Sequence, residues 1–277
     1  MPTIVSTPTE WRSLRKSLAG RSVGFVPTMG NLHEGHIDLC RRARAENDIV
    51  VASIFVNPTQ FNQASDFEKY ARTLEADKKL LAEAGVDYLF HPDAKDMYPD
   101  GYSVKVGEEE IAKELEGAFR PGHFTGMLTV VMKLLNIIGA ERAYFGEKDF
   151  QQLLLVKKMV AALFMPVEII ACPTVRAQSG LALSSRNARL TPEQLEKAPL
   201  LAELLQSGMS DAAVMKKLEE AGFKPEYVDT RWGRRLAAAW LGDVRLIDNV
   251  PAVNGGAAQD AAGQHNEVCH AAVSGCG

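Results

Sequence analysis

The sequence predicts an α/β fold: a Rossmann-like, doubly wound parallel sheet with a smaller C-terminal α+β lid domain. Three observations point there. Strand-like and helix-like segments alternate as far as Cys172. The run "DIVVASIFVNP" is apolar almost throughout, as a strand covered on both faces must be. A glycine-containing turn, "PTMGNLHEGH", follows the first apolar strand and opens a helix, the place where ligands sit in open parallel sheets.

The elements follow in order. Thr7 caps a first helix, Pro8 suits its first turn, and Glu10 closes a capping box; the helix ends near Gly20. Ser22 to Val26 is a short strand. "HIDLCRRARAEND" is a helix with Ile37, Leu39, Cys40 and Ala43 on its inner side. After the long apolar strand, "DFEKYARTLEADKKLLAEAG" reads as a helix ending at Gly85, and "VDYLFHP" as the next strand. A helix near Thr125–Ile138, a strand at "RAYFGEKD", a helix at "FQQLLLVKKMVAALF" and a strand at "VEIIACP" complete a domain over 1–173. The lid domain spans 174–250. It holds a polar loop, "RAQSGLALSSRNARL", a second capping box at Thr191-Pro192-Glu193-Gln194, a helix at "DAAVMKKLEEAG" and a hairpin around Gly242-Asp243. From Pro251 the chain is rich in Ala, Gly, Asn and Ser, so a disordered tail is expected over 251–277.

Composition narrows the function. The 277 residues carry a net charge of −4 and no strongly basic segment, which argues against nucleic acid as the main partner. The most apolar stretch, Met127 to Ile138, is too short to span a bilayer and contains Lys133, so no membrane partner is expected. The N-terminus has no apolar signal core. Cys40 and Cys172 lie in apolar surroundings, which suits reduced thiols in a cytoplasmic protein.

The chemistry concentrates in the turn Thr28–Asn31 and the residues after it. Gly30 and Gly35 let backbone approach a ligand, and the helix start offers unpaired N–H groups and a positive dipole end to a phosphate. His33 and His36, three apart, point the same way. Two imidazole donors there can stabilise a crowded phosphorus transition state. Two capping histidines would be the bland alternative, and a metal would need a third ligand that the neighbourhood does not offer.

HxGH at this position resembles the signature of the nucleotidyl-transferring Rossmann superfamily, which includes class I aminoacyl-tRNA synthetases and adenylyl- and cytidylyltransferases. "VPTMGNLHEGH", "IFVNPTQF", "RPGHFTG", "FGEKDFQQL", "LALSSRN" and "AAWLGDVRLIDN" together resemble the pantoate–β-alanine ligase family, in order from about Val23 to Asn249. The resemblance implies an ATP-dependent condensation of (R)-pantoate with β-alanine, giving pantothenate, AMP and pyrophosphate through a pantoyl-adenylate, in coenzyme A biosynthesis. It also implies a homodimer.

Carried onto this chain, the resemblance puts Met29, Gly30, Asn31, Leu32, His33, Glu34, Gly35 and His36 at ATP. His36 is then catalytic, with His33 as its partner. Gly146, Glu147, Lys148 and Asp149 match the family's second ATP stretch, where Lys148 neutralises phosphate charge. Val175 matches an adenine contact, and Leu183, Ser184, Ser185 and Arg186 correspond to the mobile loop that holds the departing pyrophosphate. Asn57, Gln60 and Gln152 match pantoate and β-alanine contacts, since carboxamides both donate and accept. Arg120 and His123 are expected near the acyl or phosphate groups. Mg2+ is expected with ATP, held mostly by phosphate oxygens and water; Asp77 is a candidate protein ligand for it, with a solvated helix face as the plainer alternative.

Two departures stand out. Ser179 occupies a place where relatives usually carry aspartate, a stronger turn former. Between "DAAVMKKLEEAGFKPEYVDT" and "RWGRRLAAAWLGD" the second domain lacks a segment that the family normally has before its final strand, which predicts a smaller sheet. Two other readings remain open: a nucleotidyltransferase that releases pyrophosphate without AMP, and a non-catalytic nucleotide-binding protein.

Overall fold

The computed structural model describes residues 1–62, 67–68 and 70–252. The tail expected over 251–277 lies outside the described residues from 253 onward, and Pro251 itself ends a strand.

The first unit is a six-stranded sheet in which every pairing is parallel. Its strands are β1 (Thr3–Val5), β2 (Val23–Thr28), β3 (Ile49–Ile54), β4 (Tyr88–Phe90), β5 (Arg142–Gly146) and β6 (Glu168–Cys172), in the spatial order β1-β4-β3-β2-β5-β6. From β2 the chain winds one way to β3 and β4; from β5 it winds the other way to β6. The switch point therefore falls between the carboxyl ends of β2 and β5, where such sheets bind ligands.

Alternation along the strands fills both faces. Val23, Phe25, Ile49, Val51, Ala143 and Phe145 share one core with helix residues Trp11, Leu128 and Val156. Val26, Val50, Ala52, Ile54 and Tyr144 share another with Ile37, Cys40 and Leu81. This period of two, apolar on both sides, is why "DIVVASIF" reads as an unbroken run. The helices are α1 (Pro8–Ser17), α2 (Glu34–Glu46), α3 (Leu74–Glu83), α4 (Ala94–Met97), α5 (Glu116–Phe119), α6 (His123–Ile138) and α7 (Phe150–Ala162). The capping box of α1 is present as expected, with Glu10 bonding back to the Thr7 amide at 3.0 Å. Trp11 is fully buried, and its indole N–H closes the end of α6 on the Ile138 carbonyl at 3.0 Å.

The sequence reading misses two features here. β1 adds an edge strand before Thr7. The segment expected as one helix over 66–85 is helical at Phe67 and Glu68 and again over Leu74–Glu83, with a non-helical stretch between them where Tyr70 reaches the Gly30 carbonyl and Thr73 turns its hydroxyl to Asp77.

The C-terminal unit has α8 (Pro192–Lys197) leading into α9 (Leu200–Gln206), and packs α9 and α10 (Asp211–Glu220) on an antiparallel meander of β7 (Lys224–Arg231), β8 (Arg234–Leu241) and β9 (Val244–Pro251). Thr191 and Gln194 form the expected capping box. The expected hairpin is β8–β9. β7 is an addition, joined to β8 through the two-residue turn Trp232-Gly233, left-handed at φ +52° and +72°; Gly233 suits the second position, but the bulky Trp232 in place of the usual Asn, Asp or Gly weakens the signal.

Candidate active site

β2 ends at Thr28, and the chain reverses through Gly30 and Asn31, both left-handed at φ +78° and +51°. A Cβ on Gly30 would come within 3.0 Å of Ile54 Cγ2 and 3.1 Å of Asp77 Oδ2, so only glycine fits without a shift. The buried Asp77 carboxylate fixes this turn: it accepts the Asn31 and Leu32 amides at 3.0 and 2.8 Å and the Thr73 hydroxyl at 3.1 Å. This corrects the expectation of Asp77 as a metal ligand. Its oxygens are occupied by the backbone they hold.

The turn delivers His33 to the N-cap of α2 and His36 one turn on. His33 Nδ1 accepts the Gly35 amide at 3.2 Å, and His36 Nδ1 accepts the His33 amide at 3.4 Å. The rings lie 4.1 Å apart between centroids. The two histidines therefore do cap the helix. With Nδ1 accepting, the neutral ring carries its proton on Nε2, so each ring keeps a donor for a ligand. Burial and then the charge of Lys148 lower His33 to about 4 against a counteracting Asp149. Burial, His33 and Lys148 lower His36 to about 3. Both rings are neutral donors at physiological pH.

One cavity at the switch point gathers most of the expected residues. Met29, His33, Gly35, His36, Gly146, Lys148, Asp149, Val175, Leu183, Ser184, Ser185 and Arg186 line it, together with Gln60, Gln152, Arg120 and His123. Gly146 to Asp149 lie at the end of β5 beside the β2 turn. Ser184 caps a short 3-10 turn, accepting the Arg186 amide at 3.2 Å. Val175 and Leu183 face each other across a hairpin closed by the Leu183 amide on the Val175 carbonyl at 3.0 Å. The hairpin's tip closes through backbone, with the Gly180 amide on the Ala177 carbonyl at 2.9 Å, and Ser179 is exposed.

Five expected ATP-site residues do not line the cavity. Gly30, Asn31 and Leu32 shape the turn behind it. Glu34 pairs with Arg41 at the surface. Glu147 turns away to Arg234 at 3.1 Å. Asn57 is likewise corrected. It is fully buried, and its side chain works on its neighbours. Asn57 Oδ1 accepts the Tyr98 hydroxyl at 2.7 Å, and Nδ2 donates to Gln60 Oε1 at 3.0 Å and to the Gly126 carbonyl at 3.1 Å. Gln60 must then present its NH2 end to the cavity, where it meets Met29 Sδ at 3.3 Å. The turn carrying Gln60 sits against α6 because position 126 is glycine: a Cβ there would lie 2.4 Å from the Thr59 carbonyl oxygen.

Below Gln60, Met127, Val130, Val131 and Leu134 of α6 line an apolar floor with Phe55 and Phe145. The sequence reading did not find this floor, because α6 is apolar nearly all round and its cavity face looks like its core face. Tyr70, Phe61 and Thr174 are further lining residues it missed. His123 is held by the Gln60 carbonyl on Nδ1 at 2.8 Å and by Arg120 on Nε2 at 3.2 Å; burial and Arg120 lower it to about 4.

The described residues hold no group of three His, Cys, Asp or Glu side chains able to bind a metal. Cys40 and Cys172 are free and buried, as expected, and burial raises their thiols to about 12 and about 11. Among the described residues no helix is long and apolar enough to cross a membrane.

The two units meet beside this cavity. Glu116, buried on α5, takes Arg245 of β9 on both oxygens, at 2.8 and 2.5 Å, and the Tyr227 hydroxyl of β7 at 2.9 Å. Burial raises its carboxyl, but the hydrogen bonds and charge of Arg245 outweigh that and leave it below the ordinary range.

The family model described as pantoate–β-alanine ligase matches residues 3–251. A pantothenate synthetase of Legionella pneumophila (strain Lens) is 52% identical over 241 residues, covering 87% of this chain and 96% of the relative. One from Bdellovibrio bacteriovorus is 50% identical over 250 residues, covering 90% and 99%. A crystal structure of the Francisella tularensis pantoate–β-alanine ligase complexed with beta-gamma ATP and β-alanine superposes at a TM-score of 0.85, with 45% identity and coverage of 91% of this chain and 98% of that one. The pantothenate synthetase of Thermus thermophilus gives 0.82 at 45% identity, covering 90% and 99%. Such near-complete coverage leaves little room in these relatives for a segment that this chain lacks. The chain belongs to the pantoate–β-alanine ligase family.

Proposed function

We infer that this chain condenses (R)-pantoate with β-alanine at the expense of ATP, releasing AMP and pyrophosphate through a pantoyl-adenylate. The observation that carries this is one cavity with two chemistries side by side. Neutral imidazole donors, Lys148 and the Ser184–Arg186 turn line one part. Amide donors over an apolar floor line the other. A triphosphate suits the first. A small branched acid with hydroxyl groups suits the second: Gln60 offers N–H donors to its oxygens, and Val130, Val131 and Leu134 receive its methyl groups.

In the first step a carboxylate oxygen of pantoate bonds to the α-phosphorus, and the bond to the bridging oxygen of pyrophosphate breaks. Negative charge gathers on the α-phosphoryl oxygens, where the Nε2–H groups of His33 and His36 and the Lys148 ammonium stabilise it. Ser184, Ser185 and Arg186 hold the leaving pyrophosphate. In the second step the neutral amine of β-alanine bonds to the acyl carbon, AMP leaves, and the nitrogen loses its extra proton to solvent. Positioning and charge stabilisation suffice, with no covalent enzyme intermediate. His36, His33 and Lys148 are the catalytic groups of this reading, and Gln60 and Gln152 orient the acid and the amine. Met29, Gly35, Gly146, Asp149, Val175 and Leu183 complete the ATP site, and Asn57 serves through Gln60.

Magnesium fits as a companion of the triphosphate. Asp149 is the one acidic side chain lining the cavity among the described residues, and it sits 3.7 Å from Lys148; one carboxylate with phosphate oxygens and water is an ordinary Mg2+ environment. The family resemblance further supports a cytoplasmic homodimer. We place the boundary between the nucleotide-binding unit and the C-terminal lid at 173–174, supported by the separate hydrophobic cores on either side.

The test is product analysis with ATP, Mg2+ and pantoate. Pyrophosphate without β-alanine should stop near one per site, and AMP should appear in turnover only when β-alanine is added. AMP formation indifferent to β-alanine, or no reaction of either kind, overturns the reading.

A further inference from the structure

The segment "RLIDN" takes part in the family resemblance but has no chemistry attached to it. Its last two residues, Asp248 and Asn249 on β9, are 4% and 2% exposed, and neither lines the cavity that holds His33 and His36. Both reach out of their own sheet. Asn249 Nδ2 donates to two carbonyl oxygens of the other unit, those of Glu147 and Lys148, each at 2.9 Å. Its Oδ1 accepts from Arg234 Nε, and Arg234 bonds the Glu147 carboxylate at 3.1 Å and lies over the Phe150 ring, 4.9 Å from its centroid. Asp248 takes both terminal nitrogens of Arg176, at 2.6 and 2.9 Å. Arg176 in turn holds the Gly180 carbonyl at 3.0 Å.

We propose that Asp248 and Asn249 are positioning residues for the nucleotide site: one dipeptide of the C-terminal sheet sets both the turn that carries Lys148 and the hairpin between Val175 and Leu183. This deepens the ligase reading and rests on it.

The physical need is local. Lys148 sits in the middle of a three-residue 3-10 turn, Glu147–Asp149. So short a turn has poor hydrogen-bond geometry of its own and little to resist a shift. Only a carboxamide can meet its surroundings at position 249, with two N–H donors facing two carbonyls and one acceptor facing a guanidinium. Asp248 adds a bidentate arginine pair, the more directional kind of ion pair. Through Asp248 the same strand governs the hairpin that leads into Ser184 and Ser185. The C-terminal unit is thereby part of the adenylation machinery as well as its cover, because docking β9 places the lysine and the hairpin together.

The experiment uses the full chain and measures single-turnover pyrophosphate release with ATP, Mg2+ and pantoate, without β-alanine. Asn249→Asp keeps size and the Arg234 contact but turns an anionic oxygen toward the two carbonyls. It should slow the step about 10- to 100-fold, the scale of an ångström-level misplacement, with the pantoate KM within about twofold; the buried charge and the two unmet carbonyls lower the unfolding temperature, so rates are compared well below it, where circular dichroism shows the variant folded. The decisive comparison adds Lys148→Ala. If Asn249 acts through Lys148, Asn249→Asp should slow that variant by less than about twofold. Independent, multiplicative losses overturn the proposal, as does a fully active Asn249→Asp. Should Asn249→Asp fail to fold, Asn249→Ser, with one hydroxyl donor for two amide hydrogens, is put through the same cycle under the same criteria. A wild-type chain that releases no pyrophosphate overturns the ligase reading itself, and so the two failures are distinct.

Discussion

The rings of His33 and His36 lie 4.1 Å apart and each accepts a backbone N–H on Nδ1, so the two Nε2–H donors of the pair are set by the helix start that the same rings cap. Capping and ligand binding are one arrangement. The helix supplies the tautomer, and the tautomer supplies the donors.

That arrangement sets a pH dependence of stability. The folded values of about 4 and about 3 lie below the ordinary 6.5. Between those values and 6.5 the unfolded chain binds more protons than the folded one, so stability rises with pH there and is lost as pH falls through that window. Unfolding midpoints in urea should drop from pH 6.5 toward pH 4, and less steeply in His36→Gln. Ring 15N spectra should show Nε2–H imidazoles that do not titrate above pH 5; a midpoint near 6.5 for either ring contradicts the assignment.

His36→Ala should lower the adenylation rate by about 10²- to 10³-fold, the usual loss for one preorganised donor at a transition state. It also removes one cap bond, at a cost of about 1 kcal/mol. Circular dichroism should show an intact fold, and near-normal turnover would refute the role.

Tyr98 acts at two removes. Its hydroxyl holds Asn57, and Asn57 sets the polarity of the Gln60 amide. Tyr98→Phe leaves a buried acceptor short of one donor, a loss of about 1–3 kcal/mol. The pantoate KM should rise by about tenfold while the KM for ATP holds, and initial-rate kinetics in both substrates will separate the two.

Gly126→Ala places a methyl group 2.4 Å from the Thr59 carbonyl oxygen and 2.8 Å from the Gln60 amide nitrogen. The Pro58–Gln60 turn must move off α6. A destabilisation of about 1–3 kcal/mol is expected, as for other overpacked sites, together with a raised pantoate KM. A variant with unchanged KM would show that Gln60 does not set acid binding.

Glu116→Ala removes the carboxylate that ties α5 to β7 and β9. Arg245 keeps Glu226 at 2.6 Å, so the loss should fall near the low end for a broken buried pair, about 3 kcal/mol. Urea denaturation measures it. A loss of a few tenths would mean that the two units hold together without this cluster.

Much of the site was readable as sequence because its polar groups come in short local runs at strand ends. The HxGH turn and Gly146–Asp149 reach the cavity in part from the ends of strands that the apolar pattern locates, and Leu183–Arg186 reach it whole from the polar loop after the sixth strand. The misplaced assignments share a cause. Asp77 reads in sequence as a candidate metal ligand or a solvated helix face, because two of its partners, the amides of Asn31 and Leu32, lie 46 and 45 residues away. Asn57 reads as a substrate contact in sequence because Tyr98 and Gly126 lie 41 and 69 residues away. Glu147 looked like part of a phosphate site until β8 brought Arg234 against it. In each case a polar side chain is satisfied by protein, and at least one of the partners that decide it is remote in sequence.

The sequence by itself determined the alternation of elements, the apolar strands and the turn that brings two imidazoles to the mouth of the sheet, since these depend on residue type and spacing within a few turns of chain. Only the tertiary structure decided which way each amide and carboxylate faces, that α6 floors the cavity, and that β9 holds the turn bearing Lys148. Those are contacts between segments up to about a hundred residues apart, and a hydrogen bond is specific to the distance and angle at which the folded chain sets two groups.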